Sequence, residues 1–322
     1  MKAIVQEGYG SADVLHLREI DPPVVTSDVV RVRVRAASVN ALDWHTVHGG
    51  RLLGAIGILL RSPTSPVRGV DLAGEVEATG RNVTRLRPGD EVFGTGQGAF
   101  AEYATATEDR LAPKPARLSF AQAATIGVAG LTALQGLRDK GQLQPGQRVL
   151  IYGAGGGVGT FAVQVAKALR AHVTAVTGTN NLELVKSLGP DVLIDRTAED
   201  VTRREQRYDL IFDVAADRSF ADLRRILTPN GRLVLAGAAK GGLLAMLSRP
   251  VAALVRSRVG SNWLVPFIAK IRREDLLALT ALIEAGKVRP VIDREYPLSE
   301  APEAVRYVGS GRARAKVVIN VA

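Results

Sequence analysis

The stretch Val149-Leu150-Ile151-Tyr152-Gly153-Ala154-Gly155-Gly156-Gly157-Val158-Gly159 sets a short apolar run against a cluster of glycines. The apolar run reads as a buried strand. From Val158 to Leu169 the apolar residues take helical spacing, so the chain must turn sharply between strand and helix. Glycine permits that turn and lets a diphosphate come close, while the free N–H groups and dipole at a helix start favour an anion. The spacing Gly153, Gly156, Gly159 fits a G-x-x-G-x-x-G variant. The commoner G-x-G-x-x-G fails from Gly153, because position 158 is valine. Gly153, Ala154, Gly155, Gly156, Gly157, Val158 and Gly159 are therefore the first candidates for holding a dinucleotide.

Strands and helices alternate downstream. Val173 to Thr177, Val192 to Ile194, Leu210 to Phe212 and Leu233 to Leu235 read as strands, with helices around 181–188 and 220–227. Buried strands alternating with helices predict parallel βαβ units. Upstream, residues 1–118 hold short strands. Val29 to Arg35 alternates apolar and basic, and the Arg87-Pro88-Gly89-Asp90 turn precedes a further strand, which suggests a small barrel or sandwich. Ser119 is placed to cap a helix, with a second predicted from Thr132 to Asp139. A helix from Glu274 leads to a strand–helix–strand tail ending at Ile319. The expected domains are 1–118, 119–266 and 267–322, the last returning to the first. The fold class is α/β.

The 322 residues carry 42 Lys and Arg against 32 Asp and Glu, a net charge of +10, and no cysteine. Absence of cysteine excludes disulfides, a thiolate nucleophile and cysteine-ligated metal. The basic balance permits nucleic acid or an anionic surface, but no nucleic-acid module is visible, and a solvated arginine-rich surface is the reading preferred. The longest apolar run, Leu52 to Leu60, is too short to span a bilayer. With no leader pattern at Met1, the chain reads as cytoplasmic, without integral membrane association. Residues 240–273 carry Lys240, Arg249, Arg256, Arg258, Lys270, Arg272 and Arg273 and no acid. This stretch suits a lid or subunit contact better than a membrane-surface element.

A site selective for NAD places a carboxylate at the end of the second strand. Here that strand runs into Thr177, Gly178, Thr179, Asn180 and Asn181, all without charge. Arg196, after the third strand, either contacts a 2′-phosphate or is a solvated loop residue. NADPH is the cofactor expected, with NADH possible. Val214 and Ala215 should line the adenosine side, and Ala236, Gly237 and Ala238 the nicotinamide side. A Tyr-x-x-x-Lys pair is absent, which excludes short-chain dehydrogenase chemistry. The lack of an acid after the second strand disfavours a methyltransferase. His45 and His48 with Asp43 have metal-ligand spacing, but no third strong ligand accompanies them.

The chain resembles the zinc-independent medium-chain dehydrogenase/reductase superfamily, in its quinone oxidoreductase and enone reductase group. The likeness rests on Gly153 to Gly159, on Ala129-Gly130-Leu131-Thr132-Ala133, on Ser187-Leu188-Gly189-Pro190-Asp191 through Asp195, and on Pro66 to Gly74. It implies a GroES-like β-barrel catalytic domain, built from the N-terminal part and the tail, with a doubly wound Rossmann domain inserted and the active site in the cleft. It also implies a homodimer. Zinc-containing relatives use Cys and His near the segments matching Val39 to Asp43 and Gly69 to Asp71. Neither segment has them here, so no zinc is expected. Asn40, in the N-x-x-D motif, is the first candidate to donate to substrate or cofactor, with a structural turn as the alternative. Asp43 either fixes that loop or borders the substrate. Thr132 matches a position facing the nicotinamide, or caps a helix. Trp44 lines an apolar substrate pocket or is ordinary packing. Lys316 belongs to the cofactor set. Two departures stand out: Asn180 replaces the arginine of a Thr-Arg-Asn pattern, and Ala315 replaces a glycine before Lys316. The activity implied is NADPH-dependent, zinc-free hydride transfer to quinones or α,β-unsaturated carbonyls. The alternative is a non-catalytic dinucleotide-binding protein with a structural or nucleic-acid role.

Overall fold

A computed structural model describes residues 1–55, 66–236 and 263–321, and the side chains of these apart from 49–55. Most of the basic 240–273 stretch, the greater part of the Leu52 to Leu60 run, and the cofactor candidates Gly237 and Ala238 lie outside the described residues. The chain divides into two compact units. The first comprises Met1–Ala129, Ile271–Glu284 and Pro290–Ala322; the second comprises Gly130–Lys270 and Ala285–Arg289.

The first unit opens with β1 (Lys2–Gln6) and β2 (Leu15–Glu19), an antiparallel pair. β3 (Val29–Val39) follows. Its alternation turns Val30, Val32 and Val34 into the core and sets Arg31, Arg33 and Arg35 on the other face. Beyond β3 come α1 (Ala41–Ala55), β4 (Asp71–Thr79), β5 (Glu91–Thr95), β6 (Tyr103–Thr107) and β7 (Leu111–Pro113). Ser119 caps α2 (Phe120–Ala124) through a reciprocal capping box with Gln122. α3 (Gly127–Gln135) continues as a π-turn at Gly136–Lys140, where the sequence predicted one regular helix.

The second unit carries β8 (Arg148–Tyr152), α4 (Gly157–Ala168), β9 (His172–Thr177), α5 (Leu182–Lys186), β10 (Val192–Asp195), β11 (Tyr208–Asp213), α6 (Phe220–Arg225), β12 (Leu227–Leu235) and β13 (Leu264–Pro266). Every strand pair in its sheet is parallel, in the order β10-β9-β8-β11-β12-β13. Renumbered from β8, this is the 3-2-1-4-5-6 order of a dinucleotide-binding sheet, whose direction reverses between β8 and β11. β13 is an addition to the sequence reading; three residues ending in proline give no periodic signal.

The first unit is completed by α7 (Arg273–Glu284), β14 (Ile292–Pro297), α8 (Ala301–Gly309) and β15 (Lys316–Asn320). Its main sheet runs β14-β15-β3-β4-β5-β7, and β6 also pairs with β3. β15 lies antiparallel to β3, with Val317 opposite Val39. Among the described residues no helix is long and apolar enough to cross a membrane.

Candidate active site

In the second unit the glycine bend is held by Gly153 and Ala154, whose N–H groups donate to the Val176 carbonyl at 3.1 and 2.9 Å. Gly153 has φ +95°, a conformation that favours glycine. A β-carbon on Gly159 would lie 2.2 Å from the Gly153 carbonyl oxygen, and one on Gly155 2.6 Å from the Thr177 hydroxyl. Gly156, at the N-cap of α4, brings no side-chain cap. The first amides of α4 therefore face outward at the carboxyl end of β8, where the strand order reverses. This is the geometry that a diphosphate requires, so the residues present fit a dinucleotide.

The remaining cofactor candidates fall into two groups. Thr177 is buried at the end of β9, and its carbonyl accepts from the Arg196 N–H at 2.8 Å. A β-carbon on Gly178 would stand 3.7 Å from Arg196 Nε, so the arginine lies beside this strand end. Asn181 has a buried side-chain oxygen without a hydrogen-bond partner. Val214 and Ala215 donate to the Tyr152 carbonyl, and Ala236 to that of Asp213. The structure also gathers two carboxylates that sequence order conceals. Asp195, opposite Thr177 on β10, accepts from Thr179 Oγ1 at 2.7 Å, and that bond holds its carboxyl below the usual range. Asp217 pairs with Arg196 at 2.8 Å. Asn180 is exposed. Thr132 is buried within α3.

The first unit contains a second polar arrangement. Asp71 heads β4 directly opposite Ser38 of β3, and Asn40 follows the end of β3. Asp71 Oδ2 accepts from Ser38 Oγ at 3.1 Å, from Asn40 Nδ2 at 2.9 Å and from Lys316 Nζ at 3.2 Å. Its Oδ1 accepts from the Val128 N–H at 2.8 Å. Lys316 Nζ also donates to Asn40 Oδ1 at 2.7 Å and to the Val39 carbonyl at 3.3 Å. Asp71 is wholly buried and Lys316 is 3% exposed. The three ammonium hydrogens thus have three acceptors within this unit. Asp43 accepts the Asn40 N–H at 2.8 Å, tying down the start of α1. Burial pushes its carboxyl up to about 7, and the Asp71 charge adds to the rise, against the bond from Asn40 and the charges of Lys316 and Arg68.

Trp44 packs into the first unit's core and stacks on His48, with ring centroids 4.3 Å apart. A β-carbon on Gly309 of α8 would meet its indole nitrogen at 2.0 Å, so the ring fills the space between α1 and α8. Among the described residues no group of three or more His, Asp or Glu side chains is placed to hold a metal ion. Sequence reading missed Ser38 and Asp71 as partners of Asn40. The available signal was an Asp and a Lys, each as the first residue of a strand.

A model of the alcohol dehydrogenase GroES-like domain matches residues 26–116, and one described as zinc-binding dehydrogenase matches residues 188–319. The chain is 33% identical over 325 residues to a chloroplast envelope quinone oxidoreductase homolog of Arabidopsis thaliana, covering 97% of this chain and 95% of that protein. It is likewise 33% identical over 336 residues to the NADPH-dependent alkenal/one oxidoreductase of Arabidopsis chloroplasts, covering 99% and 79%. The solved quinone oxidoreductase of Coxiella burnetii superposes with a TM-score of 0.86 at 29% identity, over 100% of this chain and 99% of that one. With a six-stranded dinucleotide sheet, a glycine bend at its switch point and full-length relatives of this kind, the chain belongs to the medium-chain dehydrogenase/reductase superfamily, in its quinone oxidoreductase group.

Proposed function

We propose that this protein is an NADPH-dependent reductase of quinones and α,β-unsaturated carbonyls that works without zinc. The glycine bend carries the reading. A left-handed Gly153, two glycines with no room for a β-carbon and an uncapped helix start form a cradle suited to a diphosphate. The names of the relatives supply the acceptor class, quinones and alkenals or alkenones. When bound, a reduced nicotinamide supplies the hydride.

The chain's own residues then bind, orient and polarise. The amides from Gly155 to Gly159 hold the diphosphate, and Val214, Ala215 and Ala236 pack against the rest of the cofactor. Arg196 meets the 2′-phosphate. Its pairing with Asp217 is exposed and so worth little in water, which lets a phosphate dianion claim the guanidinium. Asn40 donates an amide hydrogen to the acceptor carbonyl as negative charge builds there. Water returns the proton. The zinc-free part is supported by Asp71, whose two oxygens already accept from four donors.

The test is NADPH oxidation by purified protein with phenanthrenequinone and with an octenone. The expected result is turnover of both acceptors, unchanged after dialysis against a chelator. NADPH binding without turnover of either acceptor would favour a non-catalytic role. Loss of turnover on chelation would remove the zinc-free part.

A further inference from the structure

Lys316 and Asp71 are buried and in contact, and the hydrogens of Lys316 Nζ all have partners close by. The ammonium's three hydrogens go to Asn40 Oδ1, Asp71 Oδ2 and the Val39 carbonyl, at 2.7, 3.2 and 3.3 Å. What the pair does reach is the Asn40 amide, from both ends. Its oxygen faces a group that can only donate, and its nitrogen, 2.9 Å from Asp71 Oδ2, faces one that can only accept. A flipped amide would set its NH2 against the ammonium and its oxygen against the carboxylate, two repulsions in a buried site. One orientation therefore survives. Of the two amide hydrogens, Asp71 takes one and the other remains. The ammonium on the amide oxygen also draws charge from the nitrogen and makes that remaining hydrogen a stronger donor.

We infer that Lys316 is a positioning residue for Asn40: with Asp71 it fixes and polarises the amide so that one hydrogen is presented to the acceptor carbonyl. The inference rests on the proposed function, in which Asn40 is that donor. It separates Lys316 from the cofactor set, since its action runs through Asn40 and not through the nucleotide.

A double-mutant cycle on the full-length protein tests it, reading kcat with phenanthrenequinone at saturating NADPH. Loss of a preorganised donor costs about 100-fold in kcat, so N40A should fall by that order. K316M should fall comparably, with the Kd for NADPH unchanged by fluorescence titration. The double variant N40A/K316M should be no slower than N40A alone, because Lys316 has nothing further to act on. Losses that multiply in the double variant, or wild-type kcat in K316M, would overturn the inference. K316M leaves the Asp71 carboxylate buried without its cation, so K316M/D71N is the companion variant. It should recover thermal stability but not kcat; recovered kcat would reduce Lys316 to balancing the charge on Asp71 and would also overturn the inference. A wild-type protein that turns over neither acceptor removes the proposed function and the positioning role together. Turnover with independent losses removes the positioning role alone.

Discussion

The glycine bend of the second unit and the Asp71–Lys316–Asn40 cluster of the first solve the same problem, holding polar groups ready, by opposite means. The bend uses main-chain amides contributed by adjacent residues, and its side chains matter by being absent. The cluster uses side chains brought together from β3, β4 and β15, with Asn40 and Lys316 separated by 276 positions. At Gly155 and Gly159 the bend tolerates no added carbon. The cluster tolerates no lost partner, because each group satisfies another that water cannot reach. Contiguous backbone chemistry writes a motif; assembled side-chain chemistry leaves scattered single letters.

The largest expected effect probes the cluster side. Asp43 has its carboxyl raised from 3.8 to about 7, so the folded state holds the proton more tightly than the unfolded chain does. Stability is then highest below pH 4 as far as this group is concerned, falls as pH rises towards 7, and levels off above it. The size is roughly 4 kcal/mol across that window. Asp43→Asn should flatten this slope, measured as thermal or urea midpoints against pH. An unchanged slope would show that the start of α1 does not carry the titration.

The bend answers to a different probe. Gly159→Ala sets a carbon 2.2 Å from a backbone oxygen that cannot move aside cheaply. We expect the Kd for NADPH to rise at least ~100-fold, about 2.7 kcal/mol, while the Asp43-dependent pH slope survives. Nucleotide titration and denaturation on the same sample read the two regions separately; loss of both together would show that they are not independent.

Smaller effects sharpen the contrast. Arg196→Ala should cut the preference for NADPH over NADH about tenfold, seen as the ratio of the two kcat/KM values with one acceptor. A ratio that does not move would mean that Asp217 keeps the guanidinium to itself. Ala315 stands at φ +47°, where a β-carbon is strained, immediately before Lys316. Ala315→Gly should relieve about 1 kcal/mol and raise the midpoint of unfolding, without altering nucleotide binding.

These regions also differ in how far the sequence disclosed them. The second unit's parallel sheet was legible because β8, β9, β11 and β12 are apolar runs separated by turn formers, and the cap on α2 because Ser119 and Gln122 lie three residues apart. The π-turn after α3 was not, since Gly136 to Lys140 continues a helical pattern. β13 was too short to show a period. Asp195 and Asp217 were passed over because the expected carboxylate was sought in chain order after β9, whereas the sheet delivers them from the neighbouring β10 and from the loop after β11. Asp71 was read only as part of the Pro66 to Gly74 segment and Lys316 only as a member of the cofactor set. Their meaning is a pairing, and it exists only once β15 lies against β3.

That pairing sets an order of events during synthesis. The second unit's sheet is drawn from one nearly continuous stretch and can close while the nascent chain is still attached to the ribosome. The first unit cannot, since the lysine that neutralises its buried aspartate heads β15, made after all the other strands of that sheet. Until it is made, the early strands must wait with a carboxylate that has no cation to face, and the donor amide cannot be locked.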